Sequence, residues 1–144
     1  MKIRIIIFNF LLFYLLTGYN ILSQNHDIQL KLNLEKSNYS VADTLKGTFI
    51  VTNLSSKIIK YDFSTSCQFG LKIKSGDKEV KQYPEVCAQV LTSLILKGGE
   101  SKVYEFKYSL LDNDLNSLLK GDYTIEAYLL DNNSSIVSKS IKID

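Results

Sequence analysis

The sequence predicts an all-β protein, folded as an antiparallel β-sandwich of about eight or nine strands. Three observations carry that prediction. Apolar residues recur at every second position: Ile28, Leu30, Leu32 and Leu34 alternate with Gln29, Lys31, Asn33 and Glu35, and Tyr123, Ile125, Ala127 and Leu129 alternate with Asp122, Thr124, Glu126 and Tyr128. A period of two puts one set of side chains in a core and the other in water, the pattern of a half-buried strand. Such runs are short and evenly spaced, with turn-forming residues between them, as in a sandwich rather than a parallel sheet with crossover helices. Finally, Gly121-Asp122-Tyr123 opens a strand with a glycine two residues before a tyrosine. That is the form of the tyrosine corner of immunoglobulin-like sandwiches, where the ring sits beneath the sheet corner and the hydroxyl bonds back to the preceding loop. Gly121 and Tyr123 are therefore expected to be a structural pair.

The first strand covers Ile28 to Glu35, and Lys36 to Asp43 reads as a polar connection. Thr44 to Asn53 follows, with Leu45, Phe49 and Val51 on one face and Lys46, Thr48 and Thr52 on the other. Gly47 inside it predicts a bulge or a close approach of another backbone. Asn53-Leu54-Ser55-Ser56 is a turn, because asparagine and serine side chains bond their own backbone there. Ile59, Tyr61 and Phe63 share the next face, and Ser64 to Cys67 interrupts that strand. Phe69, Leu71 and Ile73 form another, turned back by Ser75-Gly76-Asp77-Lys78, where glycine supplies the positive φ of a hairpin. Glu79 to Tyr83 returns, and Pro84 to Gln89 is a loop carrying Cys87. Thr92, Leu94 and Leu96 share a face, with Leu91 and Ile95 making that strand apolar on both sides. Gly98-Gly99 ends it, and Tyr104, Phe106 and Tyr108 then lie opposite Val103, Glu105 and Lys107. From Leu111 to Lys120 the period changes: Leu111, Leu115, Leu118 and Leu119 have helical spacing, with Asp112 or Asp114 as cap. One or two helical turns are expected there. Asp131 to Ser135 reads as a hairpin loop, and Val137, Ile141 and Ile143 share a face of the last strand.

Length and composition suit one domain: 144 residues, 45% hydrophobic and 22% charged, which excludes a disordered chain. Residues 1–23 read as a secretory signal, leaving 24–144 as the domain. Lys2 and Arg4 form a basic start, Ile5 to Leu16 is apolar except for Asn9, and Ser23 is a small residue suited to the cleavage point. The apolar run is shorter than the ~20 residues needed to span a bilayer, so no stable membrane insertion is expected after cleavage. Lys2 and Arg4 are two of the 17 Lys+Arg, so the remainder carries 15 basic against 15 acidic residues and no arginine. Arginine is the preferred reader of phosphate and guanine, so a nucleic-acid partner is not expected. The expected location is secreted, or periplasmic and cell-envelope.

The two cysteines, Cys67 and Cys87, are expected to form a disulfide, as an even pair does in an exported chain. A thiol nucleophile needs a histidine base, and the single histidine, His26, lies beside the expected new N-terminus. A zinc site needs more sulfur or imidazole ligands than are present. Asp112-Asn113-Asp114-Leu115-Asn116 alternates oxygen ligands, but Ser117 and Tyr123 stand where a calcium loop needs glycine and glutamate. The nine tyrosines and seven phenylalanines fall mainly at inward strand positions, as core residues do. No catalytic residues, metal or cofactor are predicted. Asparagine-x-serine sequons occur at Asn38, Asn53, Asn132 and Asn133.

Several stretches taken in order resemble one family. Val51-Thr52-Asn53-Leu54-Ser55 is similar to a strand ending in Asn-x-Ser/Thr, and Tyr61-Asp62-Phe63-Ser64 to the strand after it. Gln68-Phe69-Gly70-Leu71-Lys72-Ile73 with Gly76 resembles an aromatic-bearing strand and its glycine turn. Leu96-Lys97-Gly98-Gly99-Glu100-Ser101 stands where the family has Leu-x-Pro-Gly-Glu, and Gly121-Asp122-Tyr123-Thr124-Ile125-Glu126-Ala127 matches its Gly-x-Tyr strand. Together, over roughly Thr48 to Leu130, these resemble the BsuPI-type intracellular proteinase inhibitor domain, an immunoglobulin-like sandwich. The resemblance implies a non-enzymatic binding module with proteinase inhibition as its activity and a protein partner, a serine protease being the candidate. The other reading is a structural or accessory domain of the cell envelope with no protease target. A substrate-like inhibitor presents one rigid exposed loop to a protease cleft. Pro84, Glu85, Val86, Ala88 and Gln89, tied down by Cys87, are the expected contact residues.

Overall fold

The computed structural model describes residues 27–111, 118–131 and 135–144. Within them lie ten strands: β1 (Ile28–Leu34), β2 (Asn38–Tyr39), β3 (Thr44–Asn53), β4 (Ile59–Phe63), β5 (Phe69–Ser75), β6 (Lys78–Tyr83), β7 (Thr92–Leu96), β8 (Ser101–Ser109), β9 (Gly121–Leu129) and β10 (Ile136–Ile143). The strands form one sheet of order β1-β3-β8, a second of order β2-β10-β9-β5-β6, and a β4-β7 ribbon. The expected signal segment and His26, the Asp112–Ser117 part of the expected helical turns, and positions 132–134 of the expected hairpin loop lie outside the described residues.

The alternation in the sequence becomes the two faces of each sheet. Leu45, Phe49 and Val51 of β3 and Phe106 of β8 are buried, as are Leu71 and Ile73 of β5, Ile125, Ala127 and Leu129 of β9, and Ile141 and Ile143 of β10. The two sheets meet through these side chains in one core, to which the ribbon adds Phe63, Leu94 and Leu96. Each of these side chains except the small Ala127 contributes about 1.5–3 kcal/mol of transfer free energy. Aromatic rings cross the interface: Phe69 of β5 lies 5.7 Å from Phe49 and 4.9 Å from Tyr104, and Tyr83 of β6 stacks on Tyr108 of β8 at 4.3 Å.

Gly47 marks a close approach rather than a bulge. A Cβ there would stand 2.1 Å from the Asn33 carbonyl oxygen and 2.8 Å from the tip of the Phe106 ring. The registers of β3 with β1 and β8 run through it unbroken. The β5–β6 pairing shifts register instead, with Ile73 opposite Lys81 and Lys74 opposite Glu79. Gly76 has φ 57°, as the β5–β6 hairpin turn requires.

Lys36 to Asp43 is more than a polar connection. Tyr39 is only 2% exposed, and Asn38–Tyr39 pairs with Lys142–Ile143 as β2. That pairing is parallel, so the second sheet is mixed where an antiparallel sandwich was expected. A two-residue strand is too short to show any period, and one buried tyrosine anchors it.

Among the described residues Asn53 is the one polar side chain buried in the core, fully shielded from solvent. It sits where the β3/β8 pair gives way to the β4/β7 ribbon. Its Nδ2 lies 2.7 Å from the Lys57 carbonyl, 3.0 Å from that of Leu96 and 3.1 Å from that of Lys97. Its Oδ1 accepts from Ser55 N at 2.9 Å and Ser55 Oγ at 2.8 Å. The Asn-x-Ser sequence is thus a structural device, and the Asn53 sequon is closed to any modifying enzyme in the folded protein. Gly98 fits the same junction, because a Cβ there would stand 2.7 Å from the Ser55 carbonyl oxygen.

Candidate functional site: the cross-braced loop

The segment from Pro84 to Leu91 joins β6 to β7 across one end of the sandwich. Its entrance is fixed by Tyr83, a buried residue at the end of β6. The Tyr83 ring stacks on Tyr108 and its hydroxyl donates to the Ser109 carbonyl of β8. Burial, then the Glu85 carboxylate, hold this phenol well above the ordinary tyrosine range, so it remains a donor. The Tyr83–Pro84 peptide bond is cis.

The middle of the loop is tied to the segment that precedes β5. Cys67 and Cys87 form a disulfide with their Cα atoms 5.7 Å apart. One residue on, Ser66 N donates to the Ala88 carbonyl at 2.9 Å, and Ala88 N donates to Ser66 Oγ at 3.1 Å. Val90 N donates to the Ala88 carbonyl at 2.9 Å, which turns the chain back. The exit is held by Thr92 Oγ1, which donates to the Thr65 carbonyl at 2.8 Å. Gln68 completes the support: its amide donates to the Ser93 carbonyl at 3.2 Å and accepts from the Tyr104 hydroxyl at 2.7 Å. Burial raises the Tyr104 phenol to about 12.

What this frame presents outward is mainly apolar. Val86 is 86% exposed and Leu91 84%, with Val90 also exposed. Glu85, Ala88 and Gln89 are exposed and Pro84 is half-buried. The structure therefore gathers Pro84, Glu85, Val86, Ala88 and Gln89 on one loop, with Cys87 at its centre. It adds Val90 and Leu91 to the outer surface and Thr65, Ser66 and Gln68 to the support, which sequence reasoning did not assign. The hint was Ser64-Thr65-Ser66 beside Cys67, a run of short hydrogen-bonding side chains. A rigid loop with exposed tips can bind a partner without a large ordering cost. Among the described residues no group of His, Cys, Asp and Glu is placed to hold a metal ion.

Gly121 and Tyr123 lie elsewhere, at the entrance to β9. Gly121 has φ 155° and the buried Tyr123 donates its hydroxyl to the Leu119 carbonyl at 2.6 Å. This is a bond from a strand entrance to the preceding loop and carries no site chemistry.

Solved structures share this architecture at low identity. An alkylpurine DNA glycosylase of Pseudomonas fluorescens bound to DNA containing an abasic site analog is similar with a TM-score of 0.56 and 11% identity, over 81% of this chain and 30% of that one. The sporulation control protein of Bacillus subtilis is similar with a TM-score of 0.54 and 16% identity, over 82% of this chain and 49% of that one. A β-glucosidase from Erythrobacter marinus is similar with a TM-score of 0.51 and 16% identity, over 81% of this chain and 15% of that one. The chain thus spans at most about half the length of these proteins, and the likeness is one of fold. No curated protein sequence matches. A family model described as intracellular proteinase inhibitor, BsuPI, matches residues 32–134, from within β1 to a point in the sequence between β9 and β10, and the chain belongs to that family.

Proposed function

We propose that this protein is an exported proteinase inhibitor that acts through the loop from Pro84 to Gln89. The family supports the activity. The observation that carries the site is the cross-brace: a disulfide and two hydrogen bonds fix Cys87 and Ala88 while Val86 beside them stands in solvent. A loop held in one conformation before binding loses little freedom when it enters a cleft, so more of the contact energy appears as affinity. A flexible loop of the same sequence would be a substrate. The partner is a serine protease, and the protein itself contributes no catalytic group.

The disulfide also supports export, because thiols stay reduced in the cytosol and pair in oxidising compartments. On this reading residues 1–23 are removed and 24–144 form the working domain. The mass of the exported protein with and without reductant tests that part. The activity is tested by titrating the purified domain against a panel of serine proteases. Stoichiometric inhibition of at least one is expected, and no inhibition at micromolar concentration would remove the inhibitor reading.

A further inference from the structure

We infer that Val86 is the primary specificity residue of the loop, and that the partner is a serine protease with a small aliphatic, elastase-type specificity pocket. The inference rests on the inhibitory reading of the Pro84–Gln89 loop. Among the large hydrophobic side chains described, Val86 is the most exposed, at 86%. It also stands between two anchors. Tyr83 fixes the chain three residues before it, and Cys87 and Ala88 fix the chain immediately after it. The Cys67 sulfur lies 4.0 Å from the Val86 carbonyl oxygen, so the disulfide stands beside the peptide unit that follows Val86. A substrate-like segment needs one side chain projecting from a backbone that is anchored before and after it, and Val86 meets that need.

Leu91 is nearly as exposed but is placed differently. It leads directly into β7, whose Thr92 already pairs with Phe63 of β4. The residue immediately after Leu91 is therefore already paired in the ribbon, whereas the backbone bonds that brace the loop beyond Val86 are made one residue further on, at Ala88.

The chemistry of the pocket follows from what the loop contains. Pro84 to Leu91 holds no lysine or arginine, so a trypsin-type pocket with its buried carboxylate would gain no ion pair. No aromatic residue lies there either, so a deep chymotrypsin-type slot would be left partly empty. Valine fills a shallow aliphatic pocket, which leaves the elastase class.

The test measures inhibition constants of the 24–144 domain against elastase, chymotrypsin and trypsin, for the natural sequence, Val86→Arg and Leu91→Arg. The natural sequence is expected to inhibit elastase best. Val86→Arg is expected to weaken elastase inhibition by at least about a hundredfold and to create trypsin inhibition, while Leu91→Arg changes either by less than about threefold. Both side chains stand in solvent, so folding is not at risk, and circular dichroism verifies it. If the natural sequence inhibits elastase and Val86→Arg leaves that unchanged, Val86 is not the specificity residue, although the inhibitory reading stands. Preference for trypsin or chymotrypsin in the natural sequence overturns the pocket assignment alone. Failure against all three proteases overturns this inference, and failure across the wider panel overturns the inhibitory reading too.

Discussion

Asn53→Ala removes a side chain that satisfies polar groups on three segments at once. Alanine leaves the carbonyls of Lys57, Leu96 and Lys97 without the Nδ2 donor and Ser55 without its Oδ1 acceptor. The bond to Leu96 is buried and the others are partly buried. One buried orphan costs about 1–3 kcal/mol, and each of the four partly solvated ones about 0.5 kcal/mol, for a total of about 3–5 kcal/mol. The backbone bonds of Asn53 with Glu100 and Gly99 remain, so the fold itself persists. Equilibrium unfolding in urea, followed by circular dichroism because the chain has no tryptophan, reads the loss as a lower midpoint at unchanged slope. Asn53→Asp separates hydrogen bonding from shape. It keeps the acceptor for Ser55 but sets a carboxylate against three carbonyl oxygens. It is expected to cost more than alanine at neutral pH, and part of the loss returns as the pH falls through the carboxylate range, because the protonated form regains a donor. A loss below about 1 kcal/mol for Asn53→Ala would refute the claim that this side chain holds the two strand pairs together.

Replacing Cys67 and Cys87 together by alanine is expected to lower stability by about 3 kcal/mol, the loop-closure value for a separation of 20 residues. The same variant is expected to be cut within 84–91 by a protease that leaves the natural protein intact, which peptide mass analysis reads. Gly47→Ala forces β1 away from β3, because the new methyl group would stand 2.1 Å from a backbone oxygen, and a loss of at least about 2 kcal/mol in urea unfolding is expected. Burial holds Tyr104 to about 12 and Tyr83 higher still, against an ordinary value near 10. A phenol whose folded pKa is raised stabilises fully below the unfolded value and loses that contribution as pH rises through the folded one. Stability is therefore expected to fall from about pH 10 upward, and phenolate absorbance to show some tyrosines ionising only as the protein unfolds.

Strands were legible in this sequence because the pleat dictates a period of two, and β1, β3 and β9 keep that period over seven to ten residues. The loop at Pro84–Gln89 was legible as a loop because proline and an unpatterned run end β6. Its supports were not. Ser66, Gln68 and Tyr104 act through bonds to residues 22 to 36 positions away, and nothing in local composition reports such a partner. Asn53 was hidden for a related reason: Asn-x-Ser reads as a turn or a sequon, and only the fold shows its amide facing three carbonyls. Tyr39 was missed because two residues cannot display a period. Gly47 was legible as an exception inside a strand, but only the structure shows which backbone comes close.

On the proposed function, export and inhibition would make separate demands on the same bond. In a reducing compartment Cys67 and Cys87 would separate, leaving the outer loop to the two Ser66–Ala88 hydrogen bonds, each worth about 1 kcal/mol. The pairing is therefore where the proposed compartment and the proposed activity meet, and the double cysteine variant probes both.

The most direct test of the proposed function is hydrogen–deuterium exchange of the domain alone and mixed with the panel protease that responds most strongly to it. Slowed exchange confined to residues 84–91 and the supporting segment 64–68 is predicted. Protection centred instead on the opposite end of the ribbon, around Leu54, Ile58 and Ile95, with 84–91 unchanged, would contradict it.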